Sequence, residues 1–249
     1  MRKIRYIIQA RMESKRLPGK VLRLIGEKPL LEHMVDRLFL SGAKTDEIVF
    51  ALGEEDDDSL RSFLQRKGLS FFSGDKFNVL SRYLLAANDL DENDTVVRIT
   101  GDNPFLDYHI LSAMLNDEKS IAADLAYPVK LPTGMGFEVI RVGALKSQTE
   151  NELSLYHKEH VTIFMRENPN LYNILPTVQY EDVPDIRLTV DYVEDLEQAE
   201  KTWQYFSGLG NANFCTSDVY QLAREQADFF NINKNSLQRS ALSYEKPPS

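Results

Sequence analysis

Residues 4–22, IRYIIQARMESKRLPGKVL, decide the fold. They open on a short apolar run, Ile4 to Ile8, broken only by Arg5 and Tyr6, the pattern of a strand buried in an α/β sheet. Arg11, Lys15, Arg16 and Lys20 follow, with Pro18-Gly19 just ahead of the last. A strand that empties into a cationic loop, punctuated by Gly and Pro, offers backbone N–H groups and positive charge beyond its carboxyl end. That is where α/β proteins hold anions. Arg grips phosphate by forked hydrogen bonds and Lys acts as a point charge. On chemistry alone a solvated basic loop is an equal reading. Val21 after Gly19-Lys20 disfavours a P-loop, which needs Ser or Thr there.

The same alternation continues outward. After Pro29, residues 30–42 (LLEHMVDRLFLSG) put Leu30, Leu31, Met34 and Leu38 on one helical face, with Gly42 as a stop. Residues 46–52, 69–72 and 95–100 read as strands, with helices at 59–68 and 78–88. The acidic run 54–58, with Asp56-Asp57-Asp58, suits a helix start better than a metal site. Strand and helix alternate to about residue 115, which predicts a mostly parallel sheet, right-handed crossovers and helices on both faces. Residues 122–142 carry Pro and Gly and read as strands joined by loops, added antiparallel to the sheet or lying as a lid beside the pocket. Helices are expected again at 143–148, 157–168, 193–206 and 217–227, and strands at 171–175 and 186–190. The reading is one domain over 1–230 with an excursion near 122–142, then a polar, loosely held tail at 231–249.

Composition narrows the class. With 29 basic and 38 acidic residues among 249, the net charge of -9 is a poor match for a general nucleic-acid binder. Cys215 alone allows no intramolecular disulfide framework and no cysteine-rich zinc site, in keeping with a reducing compartment. No run approaches the ~20 apolar residues of a membrane helix. A cytoplasmic protein without a membrane span is expected.

Two acids follow apolar strands. Asp102, in TGDNP after residues 95–100, is either a turn residue before Pro104 or a hard oxygen ligand at the edge where ligands bind. Asp191, in IRLTVDYVEDL, reads most simply as a helix N-cap with Glu194 as its reciprocal partner. A lone His is more often structural than catalytic, so His33, His109 and His157 are expected at the surface.

The segment Q-A-R-M-x-S-x-R-L-P-G-K-x-L at residues 9–22 resembles the N-terminal signature of the cytidylyltransferases, enzymes that make CMP-activated 3-deoxy-octulosonate and acylneuraminate sugars. The branch it resembles most is that of spore-coat polysaccharide biosynthesis protein F. V-V-R-I-T-G-D-x-P and V-D-x-x-E-D-L resemble two further motifs of the same family. The resemblance implies a single-domain, Rossmann-like mixed sheet of the nucleotide-diphospho-sugar transferase type. It also implies that Arg11, Arg16 and Lys20 hold the triphosphate of CTP, with Ala10, Met12, Ser14, Arg98 and Thr100 around the nucleotide. Arg11, Lys20 and Asp102 would be catalytic, and Asp102 with Asp191 would bind Mg²⁺. Arg82, Glu138 and His160, in stretches that resemble G-x-x-x-D-V-L-x-R, P-D-G-x-D-x-E and E-H-V-T, would face the acceptor. Asn78, Thr133 and Gly136 depart from the family acids at those stretches; Asn78 removes the acidic role there, and Thr133 and Gly136 imply an altered acceptor.

The expected function is CTP-dependent nucleotidyl transfer to a small-molecule acceptor, a carboxylated sugar, with release of pyrophosphate, for surface polysaccharide or glycan biosynthesis. Relatives are often homodimers. The alternatives are a glycosyltransferase of the same fold, which usually needs an Asp-x-Asp pair, and a catalytically silent nucleotide-binding subunit.

Overall fold

A computed structural model describes residues 2–55, 58–148, 153–181 and 183–236. The opening run forms β1 (Ile4–Gln9), and a small hairpin of β2 (Leu24–Ile25) and β3 (Lys28–Pro29) leads into α1 (Leu30–Leu40). Then follow β4 (Ile48–Gly53), α2 (Asp58–Arg66), β5 (Ser70–Gly74), α3 (Val79–Ala86) and β6 (Thr95–Thr100). These strands lie side by side in the order β5-β4-β1-β6, all parallel. The chain first builds away from β1 on one side, then returns to its other side with β6. The topological switch point therefore falls between β1 and β6, where open α/β sheets bind ligands.

Beyond β6 come α4 (Tyr108–Asn116), α5 (Glu118–Ala122), β7 (Leu125–Val129) and β8 (Glu138–Arg141). β8 pairs antiparallel with β6, matching Arg98 to Glu138, and β7 pairs antiparallel with β8. The antiparallel excursion is thus built into the sheet. After α6 (Val142–Lys146), α7 (Leu155–His160) and α8 (Ile163–Glu167), β9 (Ile174–Val178) closes the seven-stranded sheet beside β7. Two further helices, α9 (Val193–Gly208) and α10 (Thr216–Glu225), end the regular structure.

Period-two alternation feeds two cores. Tyr6, Ile8, Phe50, Val97 and Ile99 face α1, α2 and α4, while Ile7, Val49, Ala51 and Val96 face α3, α6 and α8. Each fully buried side chain of this kind contributes roughly 1.5–3 kcal/mol. A third core joins Leu17, Ile25 and Phe105 to Ile186, Leu188, Val190 and the apolar faces of α9 and α10. Among the described residues no helix is long and apolar enough to cross a membrane.

Four expectations change. Residues 186–190 form no ladder: only Arg187 bridges, to Thr133. The helix expected over 157–168 is two short ones, because Val161 takes φ +56° and Thr162 N donates to His160 O, a tight γ-turn. His33 is buried, its Nε2 donating to Ile25 O (2.7 Å), with Phe105 and Trp203 edge-on, and His157 is half-buried against Glu167. Asn233, in the segment expected to be loose, is buried. Residues 237–249, and Asp56 and Asp57 of the acidic run, lie outside the described residues; Asp58 begins α2.

Candidate active site

The loop after β1 is closed by Gly19, at φ +66°, whose N–H donates to Met12 O at 3.0 Å. One tight turn later Lys20 points inward, only 7 % exposed. Its Nζ lies 3.1 Å from Asp102 Oδ2 and 2.8 Å from Asp191 Oδ1, so one ammonium joins the carboxylates expected to act together. Burial pulls the Lys20 pKa down, but Asp102 and Asp191 outweigh it and leave it above its ordinary value. Arg16 reaches Asp191 Oδ1 at 2.9 Å and lies over the Tyr192 ring, donating to its hydroxyl at 3.1 Å. Arg187 donates to Asp191 Oδ2 at 3.2 Å. Burial acts to raise the Asp191 pKa, yet these three cations hold it below the carboxylate range.

Asp102 sits at the switch point because Gly101 lets two loops touch. Gly101 N donates to Gln9 O at 2.7 Å, and a Cβ there would come within 2.8 Å of that oxygen. Asp191 is free for the site because it does not cap α9. Tyr192 is the N-cap residue, and Asp195 reaches back to accept from the N–H groups of Asp191 (2.9 Å) and Tyr192 (3.1 Å). The expected Asp191–Glu194 capping pair is therefore replaced by Asp195.

A second cluster lies on β6 and β8. Glu138 accepts from Arg98 (2.6 Å), from Thr162 Oγ1 (2.9 and 3.0 Å) and from Arg166, whose guanidinium stacks 3.6 Å over Tyr127. Arg98 also donates to Gln9 Oε1 at 3.1 Å, tying this cluster to the end of β1. Burial favours the neutral form of Glu138, but Arg98 and Arg166 hold its pKa below the ordinary value. His160 packs against Tyr156 with the rings tilted at 58°, and burial lowers its pKa. Gly136 faces open space, so a side chain there would meet no neighbour.

The remaining residues scatter. Arg11 lines a small pocket with Glu13, Gly53, Glu55, Lys76 and Arg82, and Lys76 ion-pairs with both Glu13 and Glu55 across it. Arg82 lines that pocket with Arg11 and donates to Ala51 O at 3.1 Å. Asn78 Oδ1 caps α3 by accepting from Ser81 N at 3.0 Å, a task Asn performs as well as Asp. Ala10 is buried beneath the loop, and Ser14 Oγ accepts from Leu17 N at 3.2 Å. Met12 packs on the first core, and Thr100 Oγ1 accepts from Asn103 at 2.8 Å. Arg187, Asp195, Arg166, Thr162 and Gln9 were not anticipated. Gln9, Thr162 and Asp195 lie within the quoted motifs, and Arg187 left a charge alternating with apolar residues in IRLTVD.

Asp102 and Asp191 offer hard oxygen donors, the kind Mg²⁺ takes. Among the described residues no group of three or more His, Cys, Asp or Glu side chains converges. Phosphate oxygens and water fill the rest of such a sphere, which fits a cation that arrives with a nucleotide.

Residues 6–235 match the family described as cytidylyltransferase. Spore coat polysaccharide biosynthesis protein SpsF of Bacillus subtilis is 34% identical over 211 residues, 82% of this chain and 88% of that protein. 3-deoxy-manno-octulosonate cytidylyltransferase 2 of Hydrogenovibrio crunogenus is 25% identical, over 79% of this chain and 89% of that one. Among solved structures, a cytidylyltransferase from Leptospira borgpetersenii superposes with a TM-score of 0.82 at 26% identity, covering 96% of this chain and 100% of that one. CMP:2-keto-3-deoxy-manno-octonic acid synthetase complexed with CTP shares the fold, with a TM-score of 0.61 at 17% identity, over 80% and 98% of the two chains. By motif, fold and match along nearly its whole length, the chain belongs to the cytidylyltransferase family.

Proposed function

We propose that this enzyme transfers CMP from CTP to a hydroxyl of a sugar acid, releasing pyrophosphate, for the assembly of a surface polysaccharide or glycan. The observation that carries the reading is Lys20, held between Asp102 and Asp191 at the switch point of the sheet. The acceptor oxygen attacks the α-phosphorus, the α–β P–O bond breaks, and the hydroxyl proton passes to solvent. Positioning and charge neutralisation dominate such chemistry. Lys20, Arg16 and Arg11 would take up charge on the departing pyrophosphate. Ala10, Met12 and Ser14 belong to the loop that wraps the nucleotide, and Arg98 and Thr100 border it. A Mg²⁺ bound by Asp102 and Asp191 would neutralise the triphosphate and lower the pKa of the attacking oxygen. Glu138, His160 and Arg82 remain the candidate acceptor residues. Open space at Gly136, where relatives carry an acid, supports an acceptor of different shape.

The test is pyrophosphate release with Mg²⁺ and each of the four NTPs, against a panel of sugar acids and sugar phosphates. Release that requires CTP and one sugar acid is the expected result. Release with a sugar phosphate instead would replace the acceptor class. Binding of CTP with no release across the panel would favour a silent nucleotide-binding subunit.

A further inference from the structure

The two oxygens of Asp191 face different surroundings. Oδ1 looks toward Lys20 (2.8 Å) and Arg16 (2.9 Å), into the space shared with Asp102. Oδ2 accepts from Arg187 Nη2 at 3.2 Å. Arg187 is in turn held by both oxygens of Asp195, through Nε (2.9 Å) and Nη2 (3.0 Å). Asp195 has no exposed surface. Beyond Arg187 and the two backbone N–H groups at the start of α9, it accepts from Asn233 Nδ2 at 2.7 Å. The same nitrogen donates to Arg187 O at 3.1 Å.

We infer that Arg187, Asp195 and Asn233 are positioning residues, a buried brace that turns Asp191 so that Oδ1 is presented to the cation accompanying CTP. The inference rests on the proposed role of Asp191 as a ligand. Lys20 and Arg16 are long side chains on the nucleotide loop, free to exchange Oδ1 for phosphate when a cation takes their place. Arg187 has no such freedom. Leaving Oδ2 would break a forked bond to a buried carboxylate and strand its charge. Partners of this kind fix the orientation of a metal ligand without touching the metal. Asn233 brings the segment after α10 into the brace, so cation affinity depends on a residue far from every motif in the sequence.

The probe is Mn²⁺, titrated into the full chain with saturating CTP, with free Mn²⁺ read by electron paramagnetic resonance. Asn233→Ala and Arg187→Lys should each weaken Mn²⁺ binding about tenfold to a hundredfold, the scale for outer-shell partners. Lysine keeps the charge but cannot fork. CTP affinity measured in EDTA should stay unchanged in Asn233→Ala. A merely structural brace would lower the melting temperature and leave Mn²⁺ affinity alone. Should Arg187→Lys fail to fold, Asn233→Ala carries the test by itself. Asp191→Asn is the reference. If it loses Mn²⁺ while folded brace variants bind like wild type, the brace is overturned and the ligand reading survives. If Asp191→Asn itself binds Mn²⁺ normally, the ligand reading falls and the brace with it.

Discussion

Lys20 shows how one side chain can hold two facing carboxylates together. Its ammonium offsets the mutual repulsion of Asp102 and Asp191 until nucleotide and cation arrive. Asp102→Asn should therefore fold normally but lose at least about a hundredfold in kcat, the scale for one preorganised electrostatic group. Wild-type turnover in that variant, with an unchanged melting curve, would remove Asp102 from the mechanism. Glu138, besides its proposed place at the acceptor, is a buried carboxylate whose ion pairs bear on stability. Its loss leaves Arg98, which is almost fully enclosed, and Arg166 without their anion. Glu138→Leu should cost about 3–5 kcal/mol in urea unfolding, and Arg98→Met with Glu138→Leu should cost less than the two singles summed. Because the folded pKa of Glu138 is depressed, its contribution is present above its ordinary value of 4.5 and lost as pH falls through the folded value. The wild-type-minus-variant stability difference should shrink on acidification below about pH 4.5. The meeting of Lys20, Asp102 and Asp191 was foreshadowed because each sits in a position-specific motif, the two acids just past apolar runs. Arg166 was not, since its partner Glu138 lies far along the chain and nothing local marks it, and Asp195 stood in a motif read for Asp191 and Glu194.

At the scale of elements, the segment carrying Asp191 is held without belonging to the sheet. Thr133 N donates to Ile186 O (2.8 Å), Thr133 O accepts from Leu188 N (2.7 Å) and Thr189 N (3.0 Å), and Val190 N donates to Asp102 O (2.9 Å). IRLTVD was read as a strand, yet it joins no ladder, because its backbone bonds run to a loop that no local pattern reveals. That loop needs Gly134. It sits at φ +101°, and a Cβ there would lie 2.2 Å from Thr189 N. Gly134→Ala must push the 186–190 segment away, and with it Asp191. The expected cost is more than ~1 kcal/mol of stability, since Ala is strained at positive φ before any clash is counted. Mn²⁺ affinity in the presence of CTP should fall as well. An alanine variant with unchanged melting temperature and Mn²⁺ binding would contradict this anchoring. The break at Val161 escaped the sequence for a similar reason. A buried Val at φ +56° is locally unfavourable, and the tertiary bonds of Thr162 to Glu138 compensate for it.

Across the whole molecule, alternation of strand and helix made the parallel half of the sheet readable, and the Pro- and Gly-rich excursion forecast its antiparallel half. The third core stayed hidden because it joins Leu17 and Phe105 to side chains beyond residue 186. That core closes the site: the nucleotide loop, the Asp102 loop and the Asp191 segment all rest on it, and Phe229 and Phe230 join it from the chain's far end. We therefore expect residues 2–236 to unfold as one unit whose stability responds to ligand. CTP with Mg²⁺ at a hundred times Kd stabilises the bound state by about 2.7 kcal/mol. For a chain of this size 1 kcal/mol moves the midpoint by about 2–4 °C, so Tm should rise by roughly 5–11 °C in a single transition. Asp102→Asn and Asp191→Asn should lose the Mg²⁺-dependent part of that rise. Two transitions, of which CTP moves only one, would mean that the helical layer of α9 and α10 folds apart from the sheet. The site could not then draw its rigidity from the third core, and the brace on Asp191 would have to be held by α9 alone.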